Sequence, residues 1–398
     1  STRVATKKQK LADEVAASPS AGQQWVNIRG LLYCNIGSAP SSKIAGFDVD
    51  STLITTKSGR TFAENENDWK LLYDSIPAKL QAKAGDGYRI VIFTNQQGVA
   101  KGHVTLTGIQ NKLASIVAAL GVPVLVMAAI GSDEFRKPCT GMWDFLSSDL
   151  NEGTAIDMGV SVYVGDAAGR PARGSRKKDF NDTDLKFALN LGLPFQTPEQ
   201  FFLDQSETIS DPSFNPHNLL RAGSLFKNSD RTTADSSTQE MIIFIGAPAS
   251  GKSTFWKNHL ASYVRVNNDT LKSKDKCLKV AEQALVSGKS CVIDNTNPTR
   301  EVRANYINLA KKHNVPVRAF DFVATKDISF HLDTLREVNT HRQHLSKRVG
   351  SMPIHKFFKD YEVPQASEGI SEILTVNLVG GPFESEEDER MFYSFVHS

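Results

Sequence analysis

An α/β fold in two domains, each a parallel sheet covered by helices, is what this chain of 398 residues predicts. Three observations carry that expectation. Between residues 25 and 203 the short apolar runs "KIAGFDV", "YRIVIFTN", "VPVLVMAA" and "VSVYVGD" alternate with amphipathic helical stretches, the rhythm of strand-helix-strand units. A second series of the same kind begins at "EMIIFIGAP" and continues through "SCVIDNTN" and "VPVRAFDFVA". Between the two, residues 204–239 are rich in Ser, Thr, Asp, Asn and Pro with little periodicity, which is the composition of a linker. The expected boundaries are therefore a loose tail over 1–24, a first domain over 25–203, a linker over 204–239 and a second domain over 240–398.

The bulk numbers bound the function. Hydrophobic content of 40% and charged content of 23% are ordinary for a globular protein. A net charge of +2 does not by itself demand a nucleic-acid partner, although a local basic groove fits a balanced surface. The four cysteines, Cys34, Cys139, Cys277 and Cys291, are scattered without metal-ligand spacing, as in a reducing compartment. The longest apolar run, over 116–131, is broken by Gly121 and Pro123 and falls short of the roughly 20 residues a spanning helix needs. No secretory pattern opens the chain, so a soluble, intracellular protein without membrane contact is expected. "KKQK" at residues 7–10 reads equally as a weak nuclear signal or a solvated tail. The acidic "FESEEDERMF" near the other end reads as solvated.

Within the first domain, "AGFDVDST" puts Asp48 and Asp50 just past a buried strand. In an open parallel sheet, functional groups gather at the carboxyl ends of the strands, and residues i and i+2 of an extended segment point the same way. Two carboxylates forced together there are costly unless a hard divalent cation such as Mg²⁺ offsets their repulsion. One carboxylate can then attack phosphorus, and the other can protonate the leaving alkoxide. Three more strand ends fit the same chemistry. Thr94 ends "IVIFTN" with a hydroxyl for a phosphoryl oxygen, Lys137 in "FRKP" supplies a cation, and Asp166 in "VYVGD" supplies a third carboxylate.

This order of elements resembles the haloacid dehalogenase superfamily of aspartate-nucleophile phosphatases. The resemblance implies a Rossmann-like sheet, with Asp48 as nucleophile, Asp50 as general acid and Asp166 as a magnesium ligand. Two positions depart from it. The common glycine after the second aspartate is Ser51, and the usual acid four residues past Asp166 is Arg170. Asp179 or Asp184 is the alternative source of the missing carboxylate. Between Thr94 and Lys137 there is no cysteine, which argues against the zinc-bearing sugar- and histidinol-phosphatase branches.

In the second domain, "GAPASGKST" lies between the strand "MIIFI" and a helical stretch, the context a phosphate-binding loop requires. Its backbone amides and helix N-terminus cradle phosphates. Gly246, Gly251, Lys252, Ser253 and Thr254 are the expected ATP contacts, with Ser253 also a ligand for Mg²⁺. Asp269 in "VNNDT" reads either as the base accepting a hydroxyl proton or as a helix N-cap. Asp294 in "CVIDNTN" stands in a Walker-B-like position. Arg336, Arg342, Lys347 and Arg348 form a candidate lid, against the plainer reading of a solvated basic helix.

Taken together, "AGFDVDSTLITTKSGRTF", "VIFTNQQG", "FRKPCTGMWDFL", "VYVGDAAGRPA", "RKKDF", "GAPASGKSTF", "VNNDT" and "IDNTNP" resemble the eukaryotic polynucleotide kinase 3′-phosphatase family over nearly the whole chain. The resemblance implies a phosphatase for 3′-phosphates and an ATP-dependent kinase for 5′-hydroxyls, acting in the nucleus, as a monomer, on DNA strand-break ends. It makes Asp269 the kinase base, Arg336 the nearest lid arginine, and Phe62 and Lys101 candidate nucleic-acid contacts. Arg170, Arg173, Arg176, Lys177 and Lys178 in "RPARGSRKK", a run without an acid, form a candidate phosphate-tracking strip. Asn268 and Thr334 stand where relatives carry arginines. With only about 24 residues before Trp25, a forkhead-associated domain is not expected, nor its contact with scaffold proteins. The alternatives are the same chemistry on RNA ends, or a nucleic-acid-binding protein with only the phosphatase active.

Overall fold

The computed structural model describes residues 24–174, 176–339 and 347–397. The expected tail, with "KKQK", and Arg342 of the candidate lid lie outside them. The chain divides into two compact units, 1–213 with 394–398, and 214–393.

The first unit is built on a sheet ordered β1-β2-β7-β6-β3-β8-β9. Its strands are β1 (Val26–Ile28), β2 (Leu31–Ile36), β3 (Ile44–Phe47), β6 (Arg89–Asn95), β7 (Val124–Ala129), β8 (Val162–Val164) and β9 (Phe195–Gln196). The five strands β7, β6, β3, β8 and β9 run parallel, as the alternating pattern predicts. An antiparallel β1–β2 hairpin is added at one edge, against β7. Side-chain alternation sorts the core onto two faces. Ile90 and Ile92 pack with Leu80, Leu113 and Ile116 from helices α1 (Ile76–Gly85) and α2 (Leu106–Leu120). Val91 and Phe93 pack on the other face with Trp143 of α3 (Gly141–Phe145) and Phe187 of α4 (Thr183–Leu191). A small separate hairpin, β4 (Ile54–Thr55) with β5 (Lys70–Leu71), follows β3 directly. The unit also holds helix α5 (Pro198–Leu203).

The second unit carries a fully parallel sheet ordered β11-β12-β10-β13-β14. These strands are β10 (Met241–Gly246), β11 (Val264–Val266), β12 (Cys291–Ile293), β13 (Val317–Phe322) and β14 (Glu372–Thr375). Again alternate residues of one strand face opposite ways. Met241, Ile243 and Ile245 lie in one cluster, and Ile242 and Phe244 in the other. The functional helices are α6 (Lys252–His259), α7 (Asn268–Leu271) and α10 (Lys326–Val338), the last preceded by α8 (Lys274–Val286) and α9 (Arg300–Lys312).

Two expected boundaries and one expected surface stretch need correction. Residues 214–239 are not a linker: Phe226 is buried against Phe255 and Phe320, and its backbone bridges to Val376. One aromatic anchor in an irregular segment outweighs the polar composition around it. Residues 394–397 do not belong to the second unit. The Asn190 side chain bonds both backbone groups of Phe395, at 2.8 Å each, on the first unit. The acidic run is not wholly solvated either, since Asp388 is fully buried and takes a 2.7 Å bond from Asn339. All four cysteines are buried and unpaired. Among the described residues no helix is long and apolar enough to cross a membrane.

Candidate active sites

β3 ends at Phe47, so Asp48 emerges at the carboxyl end of a central strand, its amide bonded to the carbonyl of Val164 on β8. Asp166 follows β8, and Asp184 enters from α4. One oxygen from each of these three carboxylates lies within 4.8 Å of the others. Gly165 makes that possible, because a Cβ there would sit 2.4 Å from the Asp184 carboxyl carbon. Lys137 is buried among them and donates at 2.7 Å to Asp48, to Asp184 and to the Tyr163 hydroxyl. Tyr163 in turn donates to Asp184 at 2.9 Å.

Three acids facing one ammonium leave an excess of negative charge in a dry place. Burial pushes the Asp48 carboxyl up to about 7, with Lys137 opposing and Asp184 adding to the rise. Asp166 is raised well above its ordinary range by burial and then by Asp184 and Asp48. Burial alone would depress Lys137, but Asp184 and Asp48 prevail and raise it. An all-oxygen donor set with uncompensated charge fits a hard divalent cation. Asp48, Asp166 and Asp184 are the residues that would hold it.

Asp50 points elsewhere. Its carboxylate accepts from Lys112 of α2 at 2.8 Å and from Gln96 at 3.1 Å, and its side chain is 54% exposed. The paired carboxylates of Asp48 and Asp50 were expected to share the cation, and that is corrected for the Asp50 carboxylate: Lys112 and Gln96 take it up, and Asp184 occupies the third place. Gln96 also donates to the buried Thr94 hydroxyl at 2.9 Å, linking the two predicted positions. Sequence reasoning missed Lys112, Gln96 and Tyr163. Only the last carried a signal, as a polar residue in the middle of an apolar strand.

In the second unit the loop between β10 and α6 curls round the Lys252 ammonium. That group donates to the carbonyls of Gly246 at 2.9 Å and Ala247 at 2.6 Å. Gly251 takes φ +85°, a backbone state that a side chain would strain. Burial lowers Lys252 to about 8, Asp294 opposing and Arg336 adding. Ser253 donates to Asp294 at 2.9 Å, the pairing expected of a loop serine and a Walker-B acid. A cavity of about 460 Å³ opens beside the loop, lined among others by Gly251, Thr254, Asn258, Phe322, Arg336 and Asn377. Its size suits a nucleoside. Arg336, depressed by burial, is opposed by Asp333 and Asp269, so Lys252, Asp269 and Arg336 share one electrostatic neighbourhood. The N-cap of α7 is Asn267, whose side chain accepts from the Thr270 amide. Asp269 is thereby left exposed and free of that structural duty.

A family model described as polynucleotide kinase 3 phosphatase matches residues 43–202, and one described as an AAA domain matches residues 241–350. The bifunctional polynucleotide phosphatase/kinase of Schizosaccharomyces pombe is 37% identical over 374 residues, covering 92% of this chain and 86% of that protein. The chain belongs to the bifunctional polynucleotide phosphatase/kinase family. A putative bifunctional polynucleotide phosphatase/kinase of Acanthamoeba polyphaga mimivirus is 33% identical, covering 84% of this chain and 85% of that protein. The polynucleotide 3′-phosphatase ZDP of Arabidopsis thaliana is 39% identical over 180 residues, covering 42% of this chain and 25% of that protein.

With the phosphatase/kinase family in view, the remaining expected positions can be placed. Phe62, 77% exposed, stands on the loop joining β4 to β5. Asp68 holds that loop by accepting from Ser58 and from the Glu64 amide. Lys101, Arg173 and Lys177 are exposed. Arg170 is not: its side chain is 5% exposed and ion-paired with Asp179, Glu199 and Glu207. Its reading as a nucleic-acid contact is corrected, because the acids that satisfy it come from up to 37 residues downstream, and Arg176 of the same strip is likewise ion-paired with Glu207. Ser51 takes φ +63°, the conformation the missing glycine would serve. Thr334 is buried, leaving Arg336 as the arginine beside the loop. The Asn268 backbone N–H donates to the Asn295 side chain at 2.8 Å.

Proposed function

We propose that the chain heals broken DNA ends in the nucleus, its first unit removing 3′-phosphates and its second phosphorylating 5′-hydroxyls with ATP. The observation that supports the phosphatase most is Lys137 held at 2.7 Å from Asp48 within a buried acid cluster. The Asp48 carboxylate attacks phosphorus, and Asp50 gives its proton to the departing 3′-oxygen. The resulting aspartyl-phosphate is hydrolysed by water that Asp50, now ionised, deprotonates. Lys137 favours the ionised form of Asp48 against burial and Asp184 and balances the phosphoryl charge, while the Thr94 hydroxyl donates to a phosphoryl oxygen. Magnesium bound through Asp48, Asp166 and Asp184 would supply further positive charge to the phosphate.

In the second unit the loop over 246–254 cradles the ATP phosphates and the neighbouring cavity takes the nucleoside. Asp269 accepts the proton of the attacking 5′-hydroxyl, and Lys252 and Arg336 neutralise the transferring group. Ser253 and Asp294 would hold a magnesium ion accompanying ATP, in place of the Arg265 guanidinium that ion-pairs with Asp294 at 2.6 Å and donates to Ser253 at 2.8 Å. The test is one gel following both ends of a nicked duplex carrying a 3′-phosphate and a 5′-hydroxyl, with Mg²⁺ and ATP. Asp48→Asn should abolish only 3′-phosphate release, and Lys252→Ala only the 5′-phosphate gain. Release that survives Asp48→Asn would refute the phosphatase mechanism. Faster turnover of matched RNA ends would move the substrate class to RNA.

A further inference from the structure

Residues 167–183 form an arch whose two feet, Asp166 and Asp184, both stand in the acid cluster of the phosphatase site. The arch is closed tightly just above those feet. Asp179 accepts from the amides of Ala168 at 3.2 Å and Arg170 at 3.0 Å. The Gly169 amide bonds the Asn181 carbonyl at 3.0 Å. Arg170 locks the stem from inside, grasping Asp179 through two nitrogens and donating to the Asp166 carbonyl at 3.1 Å. Phe180 lies between Asp179 and Asn181, so its backbone is pinned beside residues 168–170, only two to four positions past Asp166. Yet the residue is 89% exposed, the highest value among the described large apolar residues. Beyond it, Arg173, Lys177 and Lys178 are exposed and, among the described residues, lack acid partners of the kind that hold Arg170 and Arg176.

We infer that Phe180 is a stacking platform for a base of the strand whose 3′-phosphate enters the site, with Arg173, Lys177 and Lys178 following its phosphates. An exposed aromatic whose flanking residues tie back beside a phosphate site, next to unpaired cations, presents the two contacts that single strands use, a π-face and positive charge. The phosphodiester strand is the occupant that this pairing suits. β3 and β8 are parallel neighbours, so the loop bearing Phe62 and the arch bearing Phe180 leave the same end of adjacent strands. The strand end is gripped on both sides of Asp48. This inference rests on the proposed 3′-phosphatase activity and names a contact for its substrate.

The test is steady-state 3′-phosphate release from a single-stranded oligonucleotide, compared with the same oligonucleotide carrying abasic residues next to the 3′ end. Phe180→Ala should raise KM about five- to a hundredfold on the intact strand, with kcat and melting temperature unchanged. Phe180→Trp should restore KM. On the abasic strand the parent and Phe180→Ala should coincide, which a merely structural role would not produce. A KM for Phe180→Ala within twofold of the parent on the intact strand overturns the inference while leaving the phosphatase reading intact. A parent that releases no phosphate from either strand overturns that reading and this inference with it.

Discussion

Replacing Arg170 by methionine should unfold the phosphatase unit before it weakens nucleic-acid binding. The guanidinium is 5% exposed and is the cation for three carboxylates, Asp179, Glu199 and Glu207, at 2.8 to 3.0 Å. Burial alone would depress its pKa, but the hydrogen bonds to those acids prevail and raise it, so the charged form is strongly preferred in the fold. Methionine retains the volume and removes the charge, leaving Asp179 with no counter-ion in a site where its side chain is 5% exposed. Removing one partner of a buried pair costs about 3–5 kcal/mol. For a unit of this size each kcal/mol moves the melting temperature by about 2–4 °C, so a fall of about 6–20 °C is expected. Tryptophan fluorescence reads it well, because Trp25, Trp69 and Trp143 lie in the first unit and only Trp256 in the second. Arg173→Met, on the exposed tip, should show the opposite pattern. Its stability should be unchanged, and the slope of log affinity against log salt should be shallower by about 1. A parent-like melting temperature for Arg170→Met, with the shallower slope, would refute the internal-clamp argument.

Gly165→Ala should cost at least about tenfold in 3′-phosphate release and spare the kinase, because the new methyl would sit 2.4 Å from the Asp184 carboxyl carbon and expel it from the cluster; full activity would show that Asp184 is dispensable. Lys252 at about 8 without nucleotide should return towards its ordinary value beside a triphosphate, so ATP binding at pH 8.5 should take up protons. Calorimetry in buffers of different ionisation enthalpy would read that uptake, and its absence would count against Lys252 meeting the phosphates. Asp68 is held down at about 2 by hydrogen bonds, first from the Glu64 amide and then from Ser58. A depressed carboxyl stabilises the fold above about pH 4, and that stability is lost as pH falls through about 2. The urea midpoints of the parent and Asp68→Asn should therefore differ at neutral pH and converge over that window. Parallel midpoints down to pH 2 would exclude the Asp68 anchor.

What was legible in the sequence was whatever depends on neighbours along the chain. Asp48, Thr94 and Asp166 each follow an apolar run, and in a parallel sheet such positions meet at one end whatever the loops do. The spacing of Gly246, Gly251, Lys252 and Ser253 is likewise a local loop geometry. What failed depended on distant partners. Lys112 reaches Asp50 across 62 residues, and Glu207 reaches Arg170 across 37. No window of sequence shows that one cation is satisfied while Arg173, three positions on, is not. The choice between Asp179 and Asp184 was open for the same reason. The fold gives the first to Arg170 and the second to Lys137. Composition misled at 214–239, where a single Phe226 docks a segment that is otherwise polar.

The closed stem of the arch has a consequence for divergence. Because Asp179 and Asn181 tie back to residues 168–170, the described residues between Arg170 and Asp179, apart from Arg176 on Glu207, lie beyond a closure that already fixes both feet. Insertions or deletions there change what the rim offers an incoming strand without moving Asp166 or Asp184, since lengthening an exposed tip adds little closure entropy. Grip and chemistry can then drift independently: tips of different length and charge can be exchanged among relatives to alter substrate range, while changes at Arg170 or Asp179 would be purged for their effect on the centre itself.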